Sequence, residues 1–271
     1  MQITANWKLY AVYAASALVV LALLYVFSAA FSDVKGPEQR RRILKRIPLL
    51  LFSVVLWISL LYLPVHDPEP EPGIFSLDEI AEYTDSPFTA VNDNRPFFTA
   101  EELKAEPYVS FSDPDQLGRC GPAMAMVDKA GMPKEERGEI DSVKPSGYHN
   151  AYYPELIEDG FLYNRCHLIG FQLCGENANE KNLITGTRYM NVEGMEPFEN
   201  EAASYVRRTG NHVLLRVTPV FKGNELVCRG VLMEGYSVED KGQSVCFCVF
   251  CYNVQPGIEI TYKDGSSRPL K

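Results

Sequence analysis

From Leu9 to Ser32 the chain carries no charged residue, and the same holds from Ile47 to Val65. Each run is about the ~20 residues that a helix needs to cross the hydrocarbon core of a bilayer. Helices buried in a soluble core are usually shorter and keep a polar stripe, which these runs lack. A cleaved export signal fits poorly, because the first run is long, only Lys8 flanks it, and a second run follows at once. Between them lies DVKGPEQRRRILKR, with Lys35, Arg40, Arg41, Arg42, Lys45 and Arg46. Short loops rich in Lys and Arg stay on the cytoplasmic side. The expectation is therefore a two-pass anchor in the cell membrane over residues 1–66, with helices at about 9–32 and 47–65. Both termini, and everything after residue 66, would face outward.

Charge is distributed unevenly along the chain. Seven of the 26 Lys and Arg and two of the 35 Asp and Glu fall in residues 1–66, leaving 19 basic and 33 acidic side chains, a net of −14. Tight passive binding of nucleic acid relies on neutralising phosphates with basic groups, and this balance argues against it. Any activity on nucleic acid needs a local basic site or a metal ion.

Seven cysteines in an exported domain invite disulfides. Three of them, Cys246, Cys248 and Cys251, lie in SVCFCVFCYN, an apolar segment expected to be a strand covered on both faces. Cys246 and Cys248 would share one face and Cys251 would point to the other. Neighbours two apart on a strand are badly placed to bridge, so these three read as small buried hydrophobes. No CxxC pair with partner histidines suggests a structural zinc site. Pairing of Cys120, Cys166, Cys174 and Cys228 is left open.

HDPEPEPG, at residues 66 to 73, is a semi-rigid spacer, and residues 67–86 read as a linker to a domain spanning 87–271. In FTAVNDNRPFFTAEEL the residues Val91, Phe97 and Phe98 suggest a strand or hairpin, and Thr99 with Glu102 forms a capping box. GFLYNRCHLIGFQL reads as a strand entering at Phe161. EPFENEAASYVRRTG places Phe198, Ala202, Tyr205 and Val206 at helical spacing, with Pro197 near the start and Gly210 as the stop. HVLLRVTPVF, ELVCRGVLMEGY and VCFCVFCYN are strand candidates. The class is α+β with an antiparallel sheet.

The chemistry concentrates around YNRCHLIGFQLCGENANEKN. His167 follows an apolar strand and precedes a polar loop, where a strand can deliver a side chain to a site. Downstream, oxygen donors recur at Asn182, Asn191 and Glu199. They suit a hard cation such as Mg²⁺, which keeps several waters and takes few protein ligands. A neutral imidazole beside such a cation can take a proton from water near pH 7. Arg165 offers a bidentate fork for a phosphate oxygen. On composition alone, a structural histidine in an Asn-rich loop is the favoured reading of the same residues. Cys166 and His167 do not form a hydrolase dyad, since strand neighbours point to opposite faces. Arg119, flanked by glycine in LGRCG, is a candidate substrate contact, with a solvated surface role as the alternative.

NRCHLIG, with ENANEKNLITGTRYMN and PFENEAASYV behind it, resembles the DNA/RNA non-specific endonucleases of the ββα-metal fold, on the DNA-entry (competence-type) branch. The resemblance covers roughly residues 88 to 265. It implies that His167 deprotonates a water, and that Asn191 holds one Mg²⁺, with Mn²⁺ able to substitute. Glu199 joins His167 and Arg165 in the catalytic set, while Asn182 and Asn164 support it. Arg165 would sit against phosphate or lock the strand. The substrate implied is DNA, with RNA open. The family signature is Asp-Arg-Gly-His, so Asn164 and Cys166 depart from it, and Gly186 stands where some relatives carry Gln. These departures keep a second reading open, a weak or inactive nuclease fold that binds nucleic acid or a cell-envelope partner.

Overall fold

Apolar and β-branched residues crowd the last quarter of the chain, and three long strands form there: β6 (Val213–Val220), β7 (Gly230–Ser237) and β8 (Cys246–Tyr252). They come from a computed structural model that describes residues 36–38, 41, 77–104 and 106–270. The chain divides into two units, Met1–Asp67 and Pro68–Lys271, and all the strands belong to the second. The two charge-free runs lie outside the described residues, among which no helix is long and apolar enough to cross a membrane.

Three shorter strands complete the sheet: β1 (Phe88–Ala90), β2 (Tyr108–Phe111) and β3 (Ala123–Val127). The order is β1-β8-β7-β6-β3-β2, antiparallel throughout. Alternation along the strands sends Ala125, Leu215, Met233 and Val249 into one large core. The opposite face collects Phe98, Met126 and Leu214 in a smaller cluster.

On that second face Arg216 and Glu234 sit directly opposite each other in register. Arg216 Nε and Nη2 donate to the two Glu234 carboxylate oxygens at 2.6 and 2.8 Å, and the Phe97 N–H donates to Glu234 Oε1 at 2.8 Å. Glu234 is 1% exposed, so its charge is tolerated only because these donors surround it. Arg216 Nη1 also reaches Glu102 at 3.0 Å, and the guanidinium stacks on Phe98 with its carbon 4.9 Å from the ring centre. The Thr99/Glu102 capping box forms as expected, with the Thr99 N–H on Glu102 Oε2 and the Glu102 N–H on Thr99 Oγ1.

Against the large core packs a β-hairpin followed by a helix. β4 (Tyr163–His167) pairs antiparallel with β5 (Leu183–Thr187), which leads into a π-helical turn, Met190–Met195. That turn continues into α2 (Glu196–Thr209), the second helix after the single turn α1 (Phe171–Cys174). Ala202, Ala203, Tyr205 and Val206 of α2 are buried, as their helical spacing predicts. Gly210 ends the helix at φ 75° and returns its N–H to the Val206 carbonyl, while Arg207 and Arg208 favour the negative end of the helix dipole. A last hairpin, β9 (Ile258–Thr261) with β10 (Ser266–Pro269), closes the chain.

Several expectations need correction. The strand read through residues 161–173 ends at His167, because the chain turns at Gly170 and winds into α1. The strand in ELVCRGVLMEGY starts only at Gly230, after Val227 and Arg229 have hydrogen-bonded elsewhere. Phe97 and Phe98 are not in a strand, and Asn92, Asp93 and Asn94 take positive φ values that break β1 off early. All seven cysteines are free. Cys248 and Cys251 are fully buried on opposite faces of β8 as expected, whereas Cys246 at its edge is only half-buried.

Removing the cation from the buried pair gives a direct test of the sheet. Arg216→Ala should lower stability by about 3–5 kcal/mol, the usual cost of leaving a buried charge without its partner. Urea unfolding of the variant at pH 7 reads this, and a loss under about 1 kcal/mol would show that Glu234 finds solvent instead.

Candidate active site

His167 is the last residue of β4, and the hairpin delivers it to the rim of a cleft of about 750 Å³. The same cleft is lined by Arg137, Asn164, Arg165, Asn191 and Glu199, which arrive from four separate stretches of chain. The β4–β5–turn–α2 unit supplies all of them except Arg137. Asn191 is the second residue of the π-helical turn, and Glu199 lies in the first turn of α2.

The imidazole of His167 is only 6% exposed. Its Nε2 lies 2.7 Å from the Asn177 carbonyl oxygen. A carbonyl can only accept, so Nε2 carries the proton and Nδ1 holds the lone pair. Burial pulls the imidazole pKa below its ordinary value, and the nearby Arg137 charge pulls the same way against the Asn177 hydrogen bond. His167 is therefore a neutral ring with a basic nitrogen turned away from its anchor. Arg137 Nη2 lies 3.5 Å from that Nδ1.

Asn182 explains why β4 stops where it does. Its side chain is fully buried, with Oδ1 accepting from the Ile169 N–H at 2.9 Å and Nδ2 donating to the Ile169 carbonyl at 3.0 Å. Its own carbonyl takes the Leu168 N–H at 2.8 Å. One carboxamide thus fixes the turn that follows His167.

Glu199 lies over that same turn. A Cβ on Gly170 would come within 2.4 Å of Glu199 Oε2, so a side chain there would displace the carboxylate from this position. Burial, reinforced by Glu196 and opposed by Arg137, pushes the Glu199 carboxyl up to about 7. Among the described residues it has neither a hydrogen bond nor an ion pair. A carboxylate that is costly to ionise and lacks a partner is one that a cation would relieve. Asn191 Oδ1 adds an oxygen donor, and it accepts from Cys166 Sγ at 2.8 Å. Among the described residues no group of three or more His, Cys, Asp and Glu is placed to hold a metal. The sparse oxygen set fits a hard cation that keeps most of its water, and does not fit a structural zinc site.

Arg165 resolves toward the second of its two expected roles. Its Nε donates to the Val143 carbonyl at 2.6 Å and its Nη1 pairs with Asp141 at 3.0 Å. Nη2 donates to the Asp141 carbonyl, and the guanidinium stacks on Tyr148. It clamps the 141–148 loop onto β4 at the cleft wall. Asn164 lines the cleft, opposite Gly186 in the hairpin register.

Arg119 is not brought to the cleft. It pairs with Asp115, donates to the carbonyls of Gly223 and Glu225, and stacks on Phe221, so its donors are spent on local structure. The thiol rival also fails on geometry: Cys166 is 1% exposed in the core, and burial holds its thiol well above the ordinary range. His212, the other histidine that a thiol could have used, is paired with Glu239.

Two residues that sequence reasoning passed over matter here. Arg137 is the cleft arginine with no ion pair among the described residues, and it came from the polar stretch GMPKEERGEI, where nothing local marks it. Asn177 anchors the imidazole through its backbone, which no side-chain pattern signals.

The raised Glu199 carboxyl has a consequence for stability. A carboxyl whose folded value exceeds the unfolded one holds its proton better in the folded state. Its favourable contribution is full below about pH 4.5 and falls away as pH rises toward 7, leaving a net cost above that. In metal-free protein, Glu199→Gln should therefore raise stability at pH 8 by about 1–2 kcal/mol, discounted for its partial exposure, and change little at pH 4. Thermal melts at the two pH values in EDTA check this. Equal melting of variant and parent at pH 8 would mean that the carboxylate is solvated.

Comparison with known proteins agrees with this arrangement. Residues 102–239, just over half of the chain and including every motif residue from Asn164 to Glu199, match the DNA/RNA non-specific endonuclease family. Among solved structures, NucA from Streptococcus agalactiae with magnesium bound is similar at 23% identity, with a TM-score of 0.60 over 70% of this chain and 89% of that one. The Sda1 nuclease with bound zinc is similar at 26% identity, with a TM-score of 0.51 over 60% of this chain and 81% of that one. No curated protein matches. On the family match and the ββα site together, this chain belongs to the DNA/RNA non-specific endonucleases.

Proposed function

We propose that the protein is a membrane-anchored, metal-dependent endonuclease that hydrolyses phosphodiester bonds of DNA outside the cell, with RNA open as a second substrate. The observation that carries this reading is the state of His167: a buried, neutral imidazole with Nε2 tied to a carbonyl and the lone pair of Nδ1 facing Arg137 Nη2 at 3.5 Å, in the same cleft as Asn191 and Glu199. The anchoring rests on the two charge-free runs and the basic loop between them.

His167 Nδ1 takes a proton from water, and the resulting hydroxide attacks phosphorus in line. The bond from phosphorus to the 3′ oxygen breaks and that oxygen takes a proton from solvent water, leaving 5′-phosphate and 3′-hydroxyl ends. The His167 imidazolium returns its proton to solvent. The Asn177 carbonyl, holding Nε2–H, stabilises the imidazolium as it forms. Arg137, released from Nδ1, is in reach of the same region and offers donors to a phosphate oxygen. The Asn191 carboxamide oxygen would hold Mg²⁺, or Mn²⁺ in its place, with Glu199 beside it. The cation, when bound, neutralises charge on the phosphoryl and leaving oxygens. Asn182 keeps the turn after His167 fixed, and Arg165 keeps the cleft wall closed.

Full-length protein incubated with plasmid DNA and Mg²⁺, beside a His167→Ala variant, tests the reading. The parent should nick and linearise the plasmid, and the variant should be slower by about 100-fold or more, the scale of a lost general base. EDTA should stop the parent. Inactivity of both proteins in Mg²⁺ and in Mn²⁺ would instead favour the binding-module reading and turn attention to Asn164 and Cys166.

A further inference from the structure

Cys166 occupies the position where the family signature has glycine, and its side chain has a definite partner. Sγ lies 2.8 Å from Asn191 Oδ1 and 3.4 Å from Met195 Sδ. Both contacts join β4 to the π-helical turn that carries Asn191. The thiol has room because of a second departure. A Cβ at Gly186 would come within 2.7 Å of Cys166 Cβ and 3.3 Å of its Sγ. The hairpin thus keeps one side chain on this face where two would collide, and here it belongs to residue 166.

We propose that Cys166 is a positioning residue for the metal site, donating its S–H to Asn191 Oδ1 and so fixing the carboxamide in the orientation that presents this oxygen to the cation. The inference rests on the reading of Asn191 as the oxygen that holds the metal. Asn191 has one rotatable carboxamide, and an unpartnered amide in a cleft can turn Nδ2 toward the site as easily as Oδ1. A donor behind the oxygen removes that choice, since an N–H in its place would face the S–H. The oxygen keeps a second lone pair for the cation. Cys166 is 1% exposed, packs its sulfur against Met195 and does not line the cleft, so it stands behind Asn191 rather than at the cation's side. Neighbours of this kind commonly set metal affinity by about 10–100-fold without touching the ion.

The test compares full-length parent, Cys166→Ala and Cys166→Ser for Mn²⁺ binding by titration calorimetry and electron paramagnetic resonance, with no nucleic acid present. Thermal melts in EDTA show whether each variant is folded. Alanine should weaken Mn²⁺ binding by about 10-fold, and serine, which keeps a donor, should stay within about 3-fold of the parent. Unchanged affinity in a folded Cys166→Ala protein would overturn the proposal. Should alanine fail to fold, the serine variant carries the test, and a 10-fold loss there would overturn it. Cobalt replacement distinguishes the remaining case: a sulfur-to-cobalt charge-transfer band in the parent would make Cys166 a ligand and also overturn the proposal. These readouts need no catalysis, so an inactive protein that loses Mn²⁺ affinity in the alanine variant would sink the nuclease reading and keep this one.

Discussion

Asn253 is a buried side chain that ties the hairpin carrying His167 to the main sheet. Just past the end of β8, fully buried, it donates from Nδ2 to the carbonyls of Thr185 and Cys228, both at 3.0 Å. Its Oδ1 accepts from the Thr187 N–H at 2.8 Å. The backbone N–H of the same residue goes to Arg229, and its carbonyl accepts from Tyr262 Oη at 2.8 Å. A carboxamide in an apolar interior has to find partners for every donor and acceptor, and here they lie on β5 and on the segment that enters β7. The register of β5 against the sheet is thereby fixed, and with it β4, the π-helical turn and the distance between His167 and Asn191. Fully satisfied, such a network specifies one arrangement in a way that apolar packing alone does not.

The same logic governs the cleft itself. Each reactive group is pinned by a backbone or carboxamide contact on its far side and left bare on the near side. His167 has the Asn177 carbonyl behind Nε2, and the turn after it has Asn182. Glu199 differs, since it packs over Gly170 with no donor of its own. Burial therefore lowers the imidazole and raises the carboxyl, two shifts from one cause that act on opposite charges. At neutral pH the imidazole is uncharged, and the carboxyl holds its proton more tightly than usual, so a cation bound beside it would displace that proton.

How much of this was readable beforehand depends on the range of the interactions. The helix Glu196–Thr209 was legible because its signals are local: Pro197, the apolar spacing and Gly210 lie within one run. The Thr99/Glu102 box was legible for the same reason. His167, Asn182, Asn191 and Glu199 were legible as a spaced motif, although their residue types alone would equally describe an Asn-rich loop. The end of β4 was not, because the carboxamide that turns the chain at Ile169 lies thirteen residues further on. Arg137 and Asn253 were invisible, since their partners stand 30 and up to 68 residues away and their flanking sequence looks like any polar loop or strand end. Arg119 shows the converse. A glycine-flanked arginine suggested a phosphate contact, and its neighbours in space, not in sequence, assign it to Asp115 and Phe221.

The acidic balance after residue 66, a net of −14, takes on a physical meaning at the cleft. Basic residues near it are largely spoken for: Arg165 by Asp141, and Arg188 by Glu158 and Asp159. These pairs hold the loops that wall the cleft and offer little net positive field to a polyanion. Of the cleft arginines only Arg137 keeps its charge unpaired among the described residues. On the proposed function, phosphate would be held mainly by Arg137 and a cation at the cleft, rather than along a basic groove. The electrostatics of the cleft would then act on the scissile group more than on the flanking strand. That is the distribution expected when sequence-independent cleavage, and not tight retention of nucleic acid, is the task of the site.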